Sequence, residues 1–396
     1  MKRVNPQILV INSGSSSLKF ALFESDPELH PMMEGKIERI GLPDATFRMT
    51  GVHPSEHVSK SLNVPNHKAA VNVLIDWFKT SHHSNIIGIG HRVVHGGPNY
   101  SKPQPITSDL IDELHRLSPF APQHLPQAII LIQAFQNWLP DISHIACFDT
   151  AFHHDLPRIA QILPIPRRYE AQGIRRYGFH GLSYEFIMKE LERSGDPAAK
   201  KGRVILAHLG HGASLAAVKD GKSIDTSMGF TPTAGLPMST RSGDLDPGVL
   251  LYLSKTEHLS TKQLNDIVNL KSGLLGISET SSDLRDLLEC ETYDVRAAEA
   301  IALFCYQIKK WIGAFSAVLN GLDTLVFSGG IGENAHIIRE RICDDLDFLG
   351  VRLDSAYNNA QAPIISKADS RVTVRVIRTN EECMIANLVY LQLGIV

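Results

Sequence analysis

The alternation of apolar and polar positions singles out Val10 to Phe20, VINSGSSSLKF, with the apolar run Ile8-Leu9-Val10-Ile11 leading into it. β-Branched residues suit a sheet core. The run breaks at Asn12-Ser13-Gly14, three serines follow, and Leu18, Phe20 and Leu22 then return to one face of an alternating segment. This pattern predicts a β-hairpin with a small, hydroxyl-rich turn. The device recurs at Val204 to Val218, where the strand enters His208-Leu209-Gly210-His211-Gly212 and returns through Leu215-Ala216-Ala217-Val218 to a turn at Lys219-Asp220-Gly221-Lys222. A third glycine loop is expected after Leu325-Val326-Phe327, in Ser328 to Asn334. Two similar hairpins predict a duplicated α/β unit with a cleft between the copies.

Between these landmarks, Val71 to Lys79 has helical spacing and Ile86 to Ile89 reads as a short strand. Thr107-Ser108-Asp109 caps a helix through Leu117, Pro119 to Pro126 forms a kinked connector, and a long apolar helix reaches Trp138. A strand follows at Ile145 to Phe148; helices are expected to dominate from Pro247 to Leu319, interrupted by a loop at Gly273 to Asp286. The final segment, CMIANLVYLQLGIV, is too apolar to stand in solvent and is expected to dock as a helix on the first lobe.

Composition narrows the class. A length of 396 residues gives room for two or three domains, and 43% hydrophobic with 20% charged residues is usual for a globular chain. A net charge of −3 gives no electrostatic case for nucleic acid or an anionic membrane. The five cysteines (147, 290, 305, 343 and 383) are odd in number and lack CxxC spacing, which favours reduced thiols. No apolar run reaches spanning length and no signal peptide is read at the N-terminus, so a cytoplasmic location is expected.

Several segments then carry candidate chemistry. Small turn residues admit a polyanion to backbone N–H groups, serine hydroxyls donate to phosphate oxygens, and Lys19 supplies a cation. The same turn would equally serve an ordinary surface hairpin. Gly90-His91-Arg92-Val93-Val94-His95-Gly96-Gly97 is either a turn with a surface arginine or a guanidinium fork offered to a carboxylate or phosphate. Asp149, at the end of an apolar strand, stands where α/β folds place chemistry and also where a helix N-cap would stand. His180 lies between Gly178 and Gly181 behind paired arginines, and Arg241 sits in the turn-rich run Thr240 to Gly248. No GxxxxGK[ST] or HExxH occurs, which excludes a P-loop kinase and disfavours a zinc enzyme despite 18 histidines.

Taken together, NSGSSSLKF, GHRVVHGG, CFDTAFH, RRYGFHGLS, DTSMGFTP, TRSGDLDPG, SSDLRD, GGIGEN and TNEE resemble, in order and spacing, the motifs of the acetate and propionate kinase family. The resemblance runs from the first strand to the last helix. It implies the duplicated actin-like (ribonuclease H-like) α/β fold, with two lobes and an interlobe nucleotide cleft. It also implies a homodimer, ATP and ADP as co-substrates, Mg²⁺ or Mn²⁺, and reversible phosphoryl transfer to acetate, with propionate or another short-chain acid as the alternative and a non-kinase actin-like ATPase as a remote one. By resemblance, Arg92 binds the substrate carboxylate, His180 and Arg241 stabilise the transferring phosphoryl group, and Asp149 orients the reacting groups. Asn12 and Glu381 resemble the metal ligands, with Glu382 adjacent. Ser15, Ser17 and Lys19 would hold phosphate with His208, Leu209, Gly210, His211 and Gly212. Asp283, Leu284 and Arg285 with Gly330, Ile331, Gly332, Glu333 and Asn334 would hold the nucleoside, and Val94, Gln123, His124, Phe179 and Pro232 would surround the substrate.

Three departures from the family pattern stand out. His211 replaces a usual Asn, Gln123 replaces a leucine expected near the substrate's methyl group, and Leu182 and Tyr184 replace Thr and His, where they are expected to tune packing. The expected lobes are 1–148 with 383–396, and 149–382, with hinges near Asp149 and Glu381.

Overall fold

The computed structural model describes residues 5–14, 16–51, 57–80 and 85–394. The chain divides into two compact units, 1–151 with 380–396, and 152–379. Each crossing lies three residues from the expected boundary, and this places Asp149, Glu381 and Glu382 in the first unit rather than the second.

The first unit is built on a sheet of eight strands: β1 (Gln7–Ser13), β2 (Ser17–Glu24), β3 (Pro31–Glu38), β4 (Ala45–Gly51), β5 (Val58–Leu62), β6 (Ile86–Val93), β7 (Gln104–Pro105) and β8 (Ser143–Phe148). Their order is β5-β4-β3-β2-β1-β6-β8-β7. The second unit has β9 (Arg203–Leu209), β10 (Ala213–Lys219), β11 (Lys222–Thr226), β12 (Thr324–Ser328) and β13 (Thr373–Val376), in the order β11-β10-β9-β12-β13. Along β3-β2-β1-β6-β8 the pairings are antiparallel twice and then parallel twice. Along β11-β10-β9-β12-β13 they are the same. The duplication legible in two hairpins therefore extends to five strands of each sheet. The first sheet adds β4, β5 and β7 at its edges. This is the duplicated actin-like α/β fold.

The two hairpins match closely. In β1–β2 the last pair is Ser13 with Leu18, leaving residues 14–17 between them; in β9–β10 it is Leu209 with Ala213, leaving residues 210–212, one fewer. Gly14 N–H donates to the Ser17 carbonyl and Gly210 N–H to that of Gly212. Ser15 lies outside the described residues. The turn after β10 uses Asp220 and Gly221, both at positive φ, as a tight two-residue hairpin requires.

Some elements depart from expectation. Strand β6 continues to Val93, so Arg92 is a strand residue rather than part of a turn. The third glycine segment is a short helix, Gly329–Asn334, beginning immediately after β12. The expected loop at 273–286 contains the helix Gly273–Ser278, and a further helix starts at Leu284. At Gly329–Asn334 a glycine-rich run that reads locally as a turn is held in regular structure by its tertiary surroundings.

The C-terminal helix, Glu381–Leu393, packs on β6. Gly88 and Gly90 make room: a Cβ at Gly90 would lie 2.4 Å from Ile385 Cγ2, and one at Gly88 2.8 Å from Leu393 Cδ1. Among the described residues no helix is long and apolar enough to cross a membrane.

Three buried imidazoles make the fold acid-sensitive. Burial pushes His153 down to about 4, and it lowers His91 and His144 as well. Unfolded, each would take a proton near 6.5, so below that pH the unfolded chain binds protons that the folded chain refuses. Stability is therefore full above about pH 6.5 and falls as pH is lowered towards 4, with His153 alone contributing about 3 kcal/mol to the loss. Calorimetry should show the melting temperature dropping already between pH 6.5 and 5, before carboxylates of ordinary pKa titrate; a midpoint constant over that interval would refute it.

Candidate active site

One cluster of candidate residues forms within the first unit. Asn12 ends the inner part of β1, Arg92 lies on β6 and Asp149 follows β8 directly, with its N–H donating to the Val93 carbonyl. Three neighbouring strand ends thus present an amide, a guanidinium and a carboxylate together. Arg92 Nη2 donates to Asp149 Oδ2 at 2.6 Å and Nη1 to Asn12 Oδ1 at 3.2 Å. The C-terminal helix adds Glu381 and Glu382, which accept from Asn12 Nδ2 at 3.1 and 2.9 Å. Its own first turn is capped by Asn380, whose side chain accepts from Cys383 N–H.

Burial opposes the charge on Arg92, but the Asp149 and Glu381 carboxylates more than offset it and raise its pKa. The side chain is only 16% exposed, so the cation is fixed in place. Its Nε–H is buried without a hydrogen-bond acceptor, the Glu381 carboxylate standing at 3.8 Å. An unsatisfied buried donor on a charged group is costly. A ligand oxygen would remove that cost.

The donor set also suits a metal ion. Asp149, Glu381 and Glu382 bring three carboxylates against the single guanidinium, leaving an excess of two negative charges, and Asn12 adds an amide oxygen. Hard oxygen donors with surplus negative charge fit Mg²⁺. Glu381 and Glu382 could hold one together with Asn12, once its amide turns to bring the oxygen now bonded to Arg92 towards the glutamates.

The second unit brings together His180, His208 and Arg241. His180 caps the helix Gly181–Arg193 from a left-handed backbone, φ 60°. The approach is equally constrained, because a Cβ at Gly178 would lie 2.5 Å from Thr226 Cγ2 and 2.6 Å from His153 Cδ2. His153 Nε2 bonds the Phe179 carbonyl, which fixes the residue before His180. The His180 ring stacks on His208, centroids 4.3 Å apart, and its Nδ1 lies 2.8 Å from Ser214 Oγ. Arg241 Nη1 donates to the Pro232 carbonyl at 3.2 Å. A Cβ at Gly212 would lie 3.1 Å from His180 Nε2 and 3.6 Å from Arg241 Nη1. Two nitrogen donors therefore converge on the space that this glycine leaves open.

Beside them a cavity of ≈ 590 Å³ is lined by Gly210, His211, Asp283, Leu284, Arg285, Gly330, Ile331 and Asn334, as the resemblance implied for the nucleotide. Sequence reading missed Ser239, Ser282, Leu288, Ala335, His336 and Ile337, which line it too; the last three continue the glycine segment and Ser282 directly precedes Asp283, so sequence adjacency was the available signal. Desolvation by the surrounding wall and then the Arg241 cation lower the pKa of His211, with Asp283 acting the other way. His211 is thus a neutral donor or acceptor, not a second cation.

Other expected residues stand elsewhere. Glu333 is not in the cavity wall: its carboxylate accepts from the N–H groups of Gly329 and Thr379 and holds the chain. Gly332, His208, Leu209 and Gly212 are likewise absent from the wall, and the Leu209 side chain is buried in the core. Val94 is buried in the first unit, where Gln123 and His124 are half-buried ahead of the helix Leu125–Trp138. Phe179 is buried in the second unit, with Pro232 half-buried. Lys19 is exposed on β2 and Ser17 half-buried.

A carboxylate-and-guanidinium cluster, a histidine–arginine pair and a neighbouring cavity, on this fold, belong to a phosphotransferase. The chain belongs to the acetokinase family, whose model matches residues 7–387. It is similar to the acetate kinase of Methylocella silvestris, 43% identical over 394 residues, covering 96% of each chain. Among solved structures it is similar to Porphyromonas gingivalis acetate kinase (TM-score 0.88, 39% identity, 98% of this chain and 100% of that one). It also resembles a propionate kinase from Francisella tularensis (TM-score 0.90, 37% identity, 97% and 98%).

Two adjacent glycines separate folding from binding. Gly329 has φ +75° and an added Cβ would meet the Leu209 carbonyl oxygen at 2.7 Å, whereas nothing lies within 4 Å of a Cβ at Gly330 on the cavity wall. Gly329→Ala should cost roughly 1–3 kcal/mol in chemical unfolding. Gly330→Val should leave stability within about 1 kcal/mol yet weaken ATP binding roughly tenfold or more by titration calorimetry. Equal nucleotide affinity in Gly330→Val would remove the cavity from consideration.

Proposed function

We propose that the protein catalyses reversible phosphoryl transfer from ATP to acetate, giving acetyl phosphate and ADP by direct in-line displacement. The observation that carries this reading is the Arg92 guanidinium, buried beside Asp149 with an Nε–H that lacks an acceptor, in a chain similar over nearly its whole length to proteins named acetate kinase. A carboxylate is ionised near neutral pH, so it needs alignment more than a base. Arg92 receives one carboxylate oxygen, and the other faces the γ-phosphorus. The new O–P bond forms as the bond to the β–γ bridging oxygen breaks, its electron pair leaving on ADP. Charge on the transferring group is held by His180 Nε2 and Arg241 Nη1, the two donors that converge at Gly212. Asp149 keeps Arg92 oriented through the 2.6 Å bond. Ser15, Ser17 and Lys19 serve the phosphates of the nucleotide, and the 590 Å³ cavity its nucleoside.

Mg²⁺, or Mn²⁺ in its place, would be held by Asn12 and Glu381 with Glu382, and when bound it neutralises phosphate charge. By resemblance, Val94, Gln123, His124, Phe179 and Pro232 are the residues that would meet the substrate's alkyl group. One methylene is worth only about 1–3 kcal/mol in such a pocket, so propionate is a competing substrate.

The functional unit is a homodimer. The helix Val295–Leu319 leaves Leu303, Tyr306 and Val318 exposed, and Tyr306 is 62% accessible, an apolar stripe that a second copy would cover. None of the five cysteines forms a disulfide, in keeping with a reducing cytoplasm.

Hydroxamate trapping of acyl phosphate with Mg·ATP, run with acetate, propionate, butyrate and glycolate, tests the reaction. Acetate turnover is expected, falling on the order of 10²–10³-fold in Arg92→Ala and in Arg241→Ala. ATP hydrolysis without acyl phosphate from any of the acids would overturn it. Light scattering should give twice the chain mass, and Tyr306→Glu should shift it towards one; a wild-type mass of one chain would reject the dimer.

A further inference from the structure

Tyr184 looks like packing in the sequence, yet its surroundings are polar as well as aromatic. It is fully buried on the helix Gly181–Arg193, one turn beyond His180, and its hydroxyl lies 2.5 Å from Ser214 Oγ. Ser214, itself fully buried on β10, is the residue whose Oγ lies 2.8 Å from His180 Nδ1. Three side chains thus form a continuous line: phenol, hydroxyl, imidazole. The remaining ring nitrogen, Nε2, points to the space opened by Gly212, where Arg241 Nη1 also arrives.

We infer that Tyr184 and Ser214 form a proton-ordering relay that keeps His180 neutral with its hydrogen on Nε2, as a hydrogen-bond donor to the transferring phosphoryl group. The inference rests on the assignment of His180 to phosphoryl transfer. A serine hydroxyl has one hydrogen and stands here between two partners, so the order of the line matters. The phenol is the most acidic of the three and the imidazole nitrogen the most basic. The stable order has Tyr184 O–H donating to Ser214 Oγ and Ser214 O–H donating to His180 Nδ1. Bonds in such a line polarise one another, which strengthens the preference. With Nδ1 an acceptor, the hydrogen of a neutral imidazole must sit on Nε2. His180 then donates without having to gain a proton. That suits a ring facing the Arg241 cation, which disfavours an imidazolium.

The other groups packed against His180 fit this arrangement. His208 of β9 stacks on the ring while its own Nδ1 is taken by Ser183 Oγ, at 2.8 Å. His153 meets Tyr184 edge-on at 5.5 Å and bonds the Phe179 carbonyl before His180, and burial keeps His153 neutral. Tyr184 is therefore a positioning residue, acting through Ser214 and His180.

Two measurements test the relay. In ¹⁵N-resolved spectra of the intact protein at pH 7.5, His180 should show the Nε2–H tautomer, assigned by its loss in His180→Gln; the Nδ1–H tautomer in wild type would overturn the proposal without any variant. Tyr184→Phe removes one oxygen from a packed ring, and Ser214→Ala breaks the middle link. In both, the tautomer ratio should move roughly tenfold towards Nδ1–H. Turnover should fall about tenfold at pH 8.5 yet recover on acidification, as the donor comes to depend on an imidazolium. A loss of turnover that is the same at every pH, with an unchanged tautomer, would make Tyr184 structural and overturn the relay. The spectra need no acid substrate, so they stand apart from failure of the acyl phosphate assay.

Discussion

The first unit depends on how closely its last helix approaches its central strand. Gly88 and Gly90 leave β6 bare on one side, and Ile385, Val389 and Leu393 occupy that space. Side chains at 88 and 90 would force the helix or its side chains to shift, since a Cβ at Gly90 would stand only 2.4 Å from Ile385 Cγ2. The helix begins with Glu381 and Glu382, so the same contact that buries its apolar face delivers two carboxylates to Asn12. Packing and charge placement are thus one constraint. The chain's end must return across its full length to complete a cluster begun in its first strand.

That cluster shows why buried charge persists where it weakens the fold. A guanidinium and an aspartate removed from water at 16% and 1% exposure recover little net stability over an apolar pair. Here the guanidinium is also short of an acceptor at Nε. Strain of this kind is tolerable where something relieves it, and in the proposed reaction a substrate carboxylate would do so. The second unit follows the same logic by other means. A left-handed backbone at His180 is held by a helix end, by His153 and by the Gly178 turn, so that an imidazole faces Gly212 rather than the core.

Much of this was legible in the sequence. The hairpins were, because alternation around a small-residue turn is a local signal, and their repetition pointed to duplication; the full five-strand correspondence was not, because strand order is a property of pairings between distant segments. Arg92, Asp149, His180 and Arg241 were proposed only as a set, through nine collinear motifs, since Arg92 and Asp149 each had an equally good bland reading alone. The helix at Gly329–Asn334 was missed because glycines carry no helical pattern, and the bonds of the Glu333 carboxylate to the backbone of Gly329 and Thr379 were not legible because one partner lies 46 residues away.

Tyr184 marks the sharper limit. Local pattern makes it a core aromatic, and it is one, touching Phe152, His153 and His208. What pattern cannot carry is the direction of its hydroxyl, which is set by Ser214 on a strand from another part of the chain. An aromatic ring in a core contributes burial wherever its oxygen points, but the oxygen decides which nitrogen of the next residue holds a proton. Chemistry of this kind is added to a fold at almost no cost in packing. A departure from a family's pattern beside a reacting group is therefore a place to look for altered proton order before altered shape.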